Sequence, residues 1–103
     1  MAKPVKIKGR IRDGVAAIRS LMPHPMRTGT QRDEDGNLIP AHYIKSVTCR
    51  KNGEVILTAN WGPSVSKDPY FAFNVLDAAP GDVIEIDWVD NLGDTSSGSL
   101  TLK

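Results

Sequence analysis

The sequence has few cysteines, no long apolar run and no large excess of charge of one sign, and each of these absences excludes a class of protein. It holds one cysteine, Cys49, so it can form neither an internal disulfide nor a cysteine-based metal cluster. It has no run of about 18 apolar residues, the length that a membrane-spanning helix needs. Thirteen basic and twelve acidic residues leave a net charge of +1, whereas a module that binds duplex nucleic acid needs a surplus of Lys and Arg. The composition therefore argues against membrane insertion and nucleic-acid binding.

The length of 103 residues predicts one domain over residues 1–103. A chain of this size buries about two thirds of its unfolded surface on folding and needs no disulfide or metal ion to hold its core together. The start of the chain, residues 1–8, has positive charges but no apolar segment and no small-residue cleavage site. We therefore expect no secretory signal. Taken alone, this start indicates the cytoplasm.

Alternation of apolar and polar residues predicts seven short strands separated by turns. The strongest hairpin signal is Asn52-Gly53, since this pair readily takes positive φ at both central positions. Residues 15–22 are compatible with a short helix, but Asp13-Gly14 favours a hairpin partner to the first strand. We expect strands over residues 5–9, 15–22, 43–50, 55–59, 71–75, 82–88 and 95–103. Seven such strands predict an all-β, antiparallel, immunoglobulin-like or fibronectin-like sandwich.

Within these strands, one side chain in two is expected to point into the core. This predicts an inward face for Val47, Cys49, Val55, Leu57, Ala59, Trp61, Phe71, Phe73, Val75, Ile84, Ile86, Trp88, Leu100 and Leu102. Tyr70 falls on the face opposite Phe71 and Phe73, so it is expected to be exposed.

A polar corner over residues 60–71 connects two of the strands and carries Trp61 and Tyr70 near its ends. Pro63 and Pro69 lack a backbone donor, so neither can sit inside a central sheet ladder. The aromatic residues can pin a long turn to the core, or they can form a rigid docking surface, because ordered aromatics are frequent interface anchors. The two interpretations are compatible.

The connection over residues 23–41 has no clear periodicity, and a loop of this length is usually functional or disordered. Met26, Leu38 and Ile39 are apolar anchors that predict a packed loop. His24 and His42 stand at its two ends, where folding can bring them together, but two histidines need a carboxylate or thiolate to complete a metal site. The favoured interpretation is a loop histidine bonded to backbone groups. The acidic run at 33–36 lacks the ligand spacing of a calcium loop.

No catalytic constellation is evident in the sequence. Ser64 and Ser66 lie in a proline-punctuated loop and not at a strand-to-helix elbow. The glycines show no phosphate-binding spacing. Cys49 shares its face with Val47, which favours a small buried side chain over a reactive thiol. We therefore expect a protein that is not an enzyme and that has no cofactor and no metal.

Four segments together resemble the SoxZ family of sulphur-oxidation proteins, over essentially the full length. They are HPMRTG at 24–29, IPAHYI at 39–44, WGPSVSKDPY at 61–70 and WVDNLGD at 88–94.

The resemblance implies a fibronectin-like subunit that forms a heterodimer with a SoxY-like partner. In this family the partner carries the sulphur of thiosulphate on a cysteine in a glycine-rich C-terminal arm, and other sulphur-oxidation enzymes act on it transiently. The resemblance also implies a periplasmic location, reached by co-export with the signal-bearing partner. Cys49 lies in mid-strand and does not match the arm.

We expect the partner interface to involve the long loop and the corner. The candidate residues are His24, Met26, Pro63, Ser64 and Tyr70. Two alternatives stay open from the sequence: a thiol carrier that uses Cys49, and a general β-sandwich accessory or adhesion module.

Overall fold

The computed structural model describes residues 3–103, so the first two residues of the expected signal-free start lie outside the described part. It contains seven strands: β1 (Lys6–Arg12), β2 (Val15–Leu21), β3 (Ile44–Lys51), β4 (Glu54–Asn60), β5 (Tyr70–Val75), β6 (Val83–Asp90) and β7 (Thr95–Thr101). All pairings are antiparallel, which confirms the predicted all-β class. Residues 15–22 form no helix, and between residues 3 and 103 no helix is long and apolar enough to cross a membrane.

The strands form two sheets that pack face to face. One sheet has the order β1-β2-β5 and the other β4-β3-β6-β7. The β3–β4 hairpin turns at Asn52 and Gly53, whose φ angles are 52° and 86°, and this confirms the turn that the sequence predicted. Positive φ at both central positions matches the right-handed twist of the flanking strands.

The core lies between the two sheets and follows the predicted alternation closely. Trp88, Ile84 and Ile86 of β6 are fully buried, and they face Ile18 of β2 across the interior. Each buried side chain of this size contributes about 1.5–3 kcal/mol relative to an exposed one. β6 is an inner strand of its sheet, between β3 and β7, and its buried side chains face the other sheet.

One residue departs from the predicted alternation. A bulge shifts the β3–β4 register, so that Cys49 pairs with Leu57 but Arg50 pairs with Val55. A bulge sets two residues on one strand opposite one on the other and reverses the side-chain order beyond it. Val55 therefore lies on the outer face with 52% exposure, and the prediction that it points inward is wrong.

The sandwich closes on one side and stays open on the other. Strand β1 packs against β7, whereas the edge strands β4 and β5 make no comparable contact. Trp61 and Phe71, whose ring centres are 5.6 Å apart, bridge the open side. The apolar side chains on this side are only partly buried.

The closed side depends on a glycine in β7. Val5 donates its backbone N–H to Ser97 at 3.2 Å, and Ser96 donates its hydroxyl to the carbonyl of Lys3 at 2.7 Å. These bonds bring the N-terminal segment so close to Gly98 that a Cβ atom there would lie 3.0 Å from the carbonyl carbon of Val5 and would clash with its oxygen.

We predict that Gly98→Ala lowers the free energy of unfolding by about 1–3 kcal/mol, because an added methyl group in a packed site forces backbone movement. Gly62→Ala is the matched control, since nothing lies within 4 Å of a Cβ atom at Gly62. Urea unfolding of both variants measures the difference. Equal stability of the two variants would contradict the close approach.

Candidate functional site: a buried imidazole–carboxylate cluster below an exposed corner

Three chain segments converge on one cluster of side chains. His24 lies in the loop after β2, His42 lies just before β3, and Asp90 ends β6. Arg27 and His42 form an antiparallel bridge, with backbone N···O distances of 2.6 and 3.0 Å. This bridge folds the long loop back on itself, so the two imidazole ring centres lie 4.5 Å apart.

Asp90 is the centre of the cluster and is 1% exposed. Its Oδ2 lies 3.1 Å from Nε2 of His24 and 2.7 Å from Nε2 of His42. Its Oδ1 accepts the backbone N–H groups of Leu92 at 3.0 Å and Asp94 at 2.9 Å. Four hydrogen bonds compensate for the burial of this carboxylate, which an unpaired charge could not tolerate.

The pKa of Asp90 follows from this environment. Burial alone would raise it, but the hydrogen bonds from His24, His42 and the two backbone N–H groups hold the pKa below its usual range. Hydrogen bonds to the charged form of an acid favour that form. Asp90 is therefore a carboxylate at neutral pH and acts as an acceptor.

The hydrogen bonds also fix the tautomer of His24. Its Nδ1 accepts the backbone N–H of Met26 at 3.0 Å, so the ring proton lies on Nε2 and is donated to Asp90. Burial lowers the pKa of His24, and this effect outweighs the hydrogen bond to Asp90, which raises it. His24 is therefore neutral and locked. The prediction that a loop histidine bonds to the backbone is confirmed for Nδ1.

The same atoms have the composition of a metal site. His24, His42 and Asp90 offer three ligand atoms within 4.8 Å of one another. A histidine that binds a metal donates its other ring N–H to a neighbour, but Nδ1 of His24 accepts a bond instead. Metal binding at Nε2 would require a fully deprotonated ring, so the geometry suits a hydrogen-bonded cluster better than a metal centre.

The cluster joins the long loop to the corner over residues 60–71. His24 donates its backbone N–H to Oδ1 of Asp68 at 2.9 Å, and its carbonyl accepts the backbone N–H of Asp68, also at 2.9 Å. Met22 donates its backbone N–H to the carbonyl oxygen of Pro69 at 3.0 Å. The rings of His24 and Trp88 pack perpendicular to each other, with 5.0 Å between their centres. One residue thus ties the loop, the corner and the core together.

The predicted interface residues divide into a supporting layer and a surface layer. His24 and Met26 are buried, at 4% and 5% exposure, whereas Pro63 and Ser64 are exposed and Tyr70 reaches 63%. Met26, Pro63 and Ser64 line one groove between the loop and the corner, while Tyr70 begins β5. The buried His24 and Met26 therefore support the surface that Pro63, Ser64 and Tyr70 form. The role of all five residues at an interface stays a prediction.

Sequence reasoning missed Asp90 as a member of this site. The signal was present, because two loop histidines without a carboxylate are incomplete and Asp90 lies in one of the four characteristic segments. Leu38 is also misjudged, since the structure leaves it 56% exposed and not an anchor. In the acidic run at 33–36, the side chain of Asp33 accepts hydrogen bonds from the backbone N–H groups of Asp35 and Asn37 and so stabilises the turn.

Cys49 is fully buried next to Val47, as the strand pattern predicted. Burial, with a further contribution from the charge of Asp87, raises the pKa of this thiol to about 11. The thiolate is the reactive form, so at neutral pH the side chain is an inert apolar group.

A model of the family described as sulphur oxidation protein SoxZ matches residues 5–101. The chain belongs to the SoxZ family. The match covers nearly the whole chain, including all four segments on which the resemblance was based, and it confirms a sulphur-oxidation protein. A search of curated proteins finds no match.

We predict that stability falls on mild acidification. The folded protein holds the pKa of His24 below its ordinary value of 6.5, so the unfolded chain takes up this proton at a higher pH than the folded protein. The contribution of His24 is therefore complete above pH 6.5 and is lost progressively below it, towards the lower folded pKa. Urea unfolding at several values between about pH 7.5 and 5 measures this slope.

His24→Gln is the control for the pH experiment, because it removes the titrating group. Its unfolding free energy should change less with pH over the same interval, since the lowered pKa of Asp90 acts only at more acidic values. An equal slope in both proteins would assign the pH dependence to another residue.

We predict that native Cys49 resists alkylation and reacts only after unfolding, because its pKa of about 11 leaves little thiolate at pH 8. Reaction with iodoacetamide in buffer and in denaturant, followed by mass spectrometry, measures this. Ser64→Cys adds a thiol on the exposed corner and should gain one rapid modification. Rapid labelling of the unchanged protein would show that Cys49 is accessible.

Proposed function

We propose that the chain is the non-catalytic binding subunit of a heterodimeric sulphur-carrier complex in thiosulphate oxidation. In this complex a SoxY-like partner bears the cysteine arm that carries the sulphur intermediate. Membership of the SoxZ family supports a role in sulphur oxidation. The observation that carries the more specific proposal is the open side of the sandwich.

The open side forms a seam between the edge strands β4 and β5. Leu57, Trp61, Phe71 and Phe73 are partly buried residues along this seam, and the rings of Phe71 and Phe73 lie 5.4 Å apart. Val55 and Ile56 extend the apolar surface outward on β4, with 52% and 40% exposure. An apolar strip of this kind on a small domain marks an interaction surface.

The seam is suited to a protein partner for two reasons. Edge strands present unpaired backbone N–H and C=O groups that a second chain can satisfy. Aromatic residues such as Trp61 and Phe71 bring large contact areas, and aromatic residues are enriched at the centres of protein interfaces. A partner subunit packed along β4 and β5 would cover the apolar side chains of the seam.

The chemistry of the described residues supports a binding role. Cys49 is buried with a raised pKa, which disfavours the alternative of a thiol carrier that uses this residue. The His24–Asp90–His42 cluster satisfies its acceptors internally and positions the loop and the corner. In this proposal the covalent chemistry belongs to the partner, and the present chain supplies a rigid body that loses little entropy on docking.

We further propose that the complex works in the periplasm and that the chain reaches it by export together with its partner. Membership of the SoxZ family supports this proposal, because the resemblance implies export together with a signal-bearing partner.

Co-expression with a SoxY-like subunit tests the proposed function, with an affinity tag on the partner. We predict that the unchanged chain co-purifies in a one-to-one complex. Val55→Glu places a charge on the exposed outer side of β4, on the apolar surface that extends the seam, and should weaken the complex about tenfold or more, which corresponds to about 1.4 kcal/mol. Since Val55 is half-exposed, the melting temperature of the isolated chain should change little.

Thr101→Glu is the matched control, because Thr101 is exposed on β7, at the closed side of the sandwich. This variant should bind the partner like the unchanged chain. Failure of the unchanged chain to co-purify would refute the heterodimer. Equal weakening by the two substitutions would refute the seam as the interface.

A further inference from the structure

The outer face of the β1-β2-β5 sheet carries a concentrated positive charge. Along β1 the exposed side chains alternate with Ile7 and Ile11, which pack against the core. β2 adds one exposed cation at the centre of the sheet. The five cations of this basic face are Lys6, Lys8, Arg10, Arg12 and Arg19.

No acidic residue compensates for this charge within the sheet. The sequences of β1, β2 and β5 contain neither Asp nor Glu, and none of the five cations forms an ion pair with any residue in the range 3–103. The remaining chain has eight basic and twelve acidic residues. The positive charge is therefore concentrated on this face, and the rest of the chain is net negative, although the whole chain has a net charge of only +1.

This arrangement of like charges lowers the stability of the isolated domain. Lys8 and Arg19 are direct cross-strand partners, and like charges at such positions destabilise a sheet. Next to them, Arg10 pairs with Ala17, and these residues line a depression together with Lys8 and Arg19. Such a surface is stabilised when carboxylates of another molecule lie against it.

The face also carries an aromatic group at one end. Leu21 pairs with Lys6 on one side and with Tyr70 on the other, and the Tyr70 side chain is 63% exposed. Arg and Tyr are among the residue types most enriched at protein interfaces. The face therefore combines electrostatic attraction with an anchor residue.

We propose that this basic face docks a protein that presents a cluster of Asp and Glu side chains, such as an enzyme that acts on the carried sulphur. The inference rests on the proposed function, because it supplies a second surface for the visiting enzymes of the carrier complex. The face adjoins the seam along β5, whose Phe71 and Phe73 face the seam while Tyr70 faces outward.

A protein fits the face better than a nucleic acid does. The net charge of +1 gives the chain little long-range attraction for the dense phosphate charge of a nucleic acid. The face presents one aromatic side chain, Tyr70 at its margin, whereas sequence-tolerant binding of single strands uses several aromatic stacking platforms. Clustered carboxylates on a folded partner suit the bidentate geometry of Arg.

Reconstituted thiosulphate oxidation with the heterodimeric complex tests the inference. Arg10→Glu together with Arg19→Glu reverses the centre of the face. At low salt we expect the KM of the pathway enzymes for the complex to rise tenfold or more with little change in kcat. The difference should shrink at high salt, because charges at a docking surface act mainly on encounter and are screened.

The matched control is Lys45→Glu together with Arg32→Glu, which makes the same change in net charge at exposed positions outside this sheet. Its KM should stay within about twofold of the unchanged complex, since a charge outside the docking surface contributes little. A third variant, Tyr70→Ala, should raise KM without lowering the melting temperature. Equal effects of the two double substitutions, or no effect of either, would overturn the proposal.

Binding of defined polyanions to the isolated chain tests the basic face independently of the proposed heterodimer. The unchanged chain should bind poly-L-glutamate, and the Arg10/Arg19 variant should not. Tighter binding of a short DNA duplex than of poly-L-glutamate at physiological salt would overturn a protein partner. If no heterodimer forms, the proposed function fails, whereas the poly-L-glutamate comparison still decides whether the face recognises clustered carboxylates.

Discussion

The carboxylate of Asp90 is the interaction on which the functional end of the molecule depends. It is buried at the end of the inner strand β6 and bonds to His24, His42 and two backbone N–H groups. Through His24 it holds the long loop, and through the bonds between His24 and Asp68 it holds the corner. A buried charge persists only when its hydrogen bonds are complete, so the loop, the corner and the β6–β7 turn keep one arrangement.

Strand β5 links the two surfaces to which we assign partners. Its inward residues, Phe71 and Phe73, line the open seam, and its outward residue Tyr70 stands at the margin of the basic face. This division follows from the period of two in a strand. Because the two surfaces share a strand but not side chains, a partner subunit on the seam leaves outward residues of β5 free for a second, acidic protein.

Much of the fold could be predicted from the sequence. The alternation in β6 and the Asn52-Gly53 turn specify local geometry, and local geometry is encoded by neighbours in the chain. Burial of Cys49 followed from the same alternation. Val55 was mispredicted because a bulge depends on how two strands pair, and the pairing register is a property of both strands together.

The sequence by itself determined the strands, most of their inward faces and the presence of two histidines at the ends of one loop. Only the tertiary structure decided that both histidines bond to Asp90, 48 and 66 positions away, that the sandwich is open between β4 and β5, and that five cations lie together. Each of these features joins segments that no local pattern relates, since side chains distant in sequence meet only where the packing of the two sheets brings them into contact.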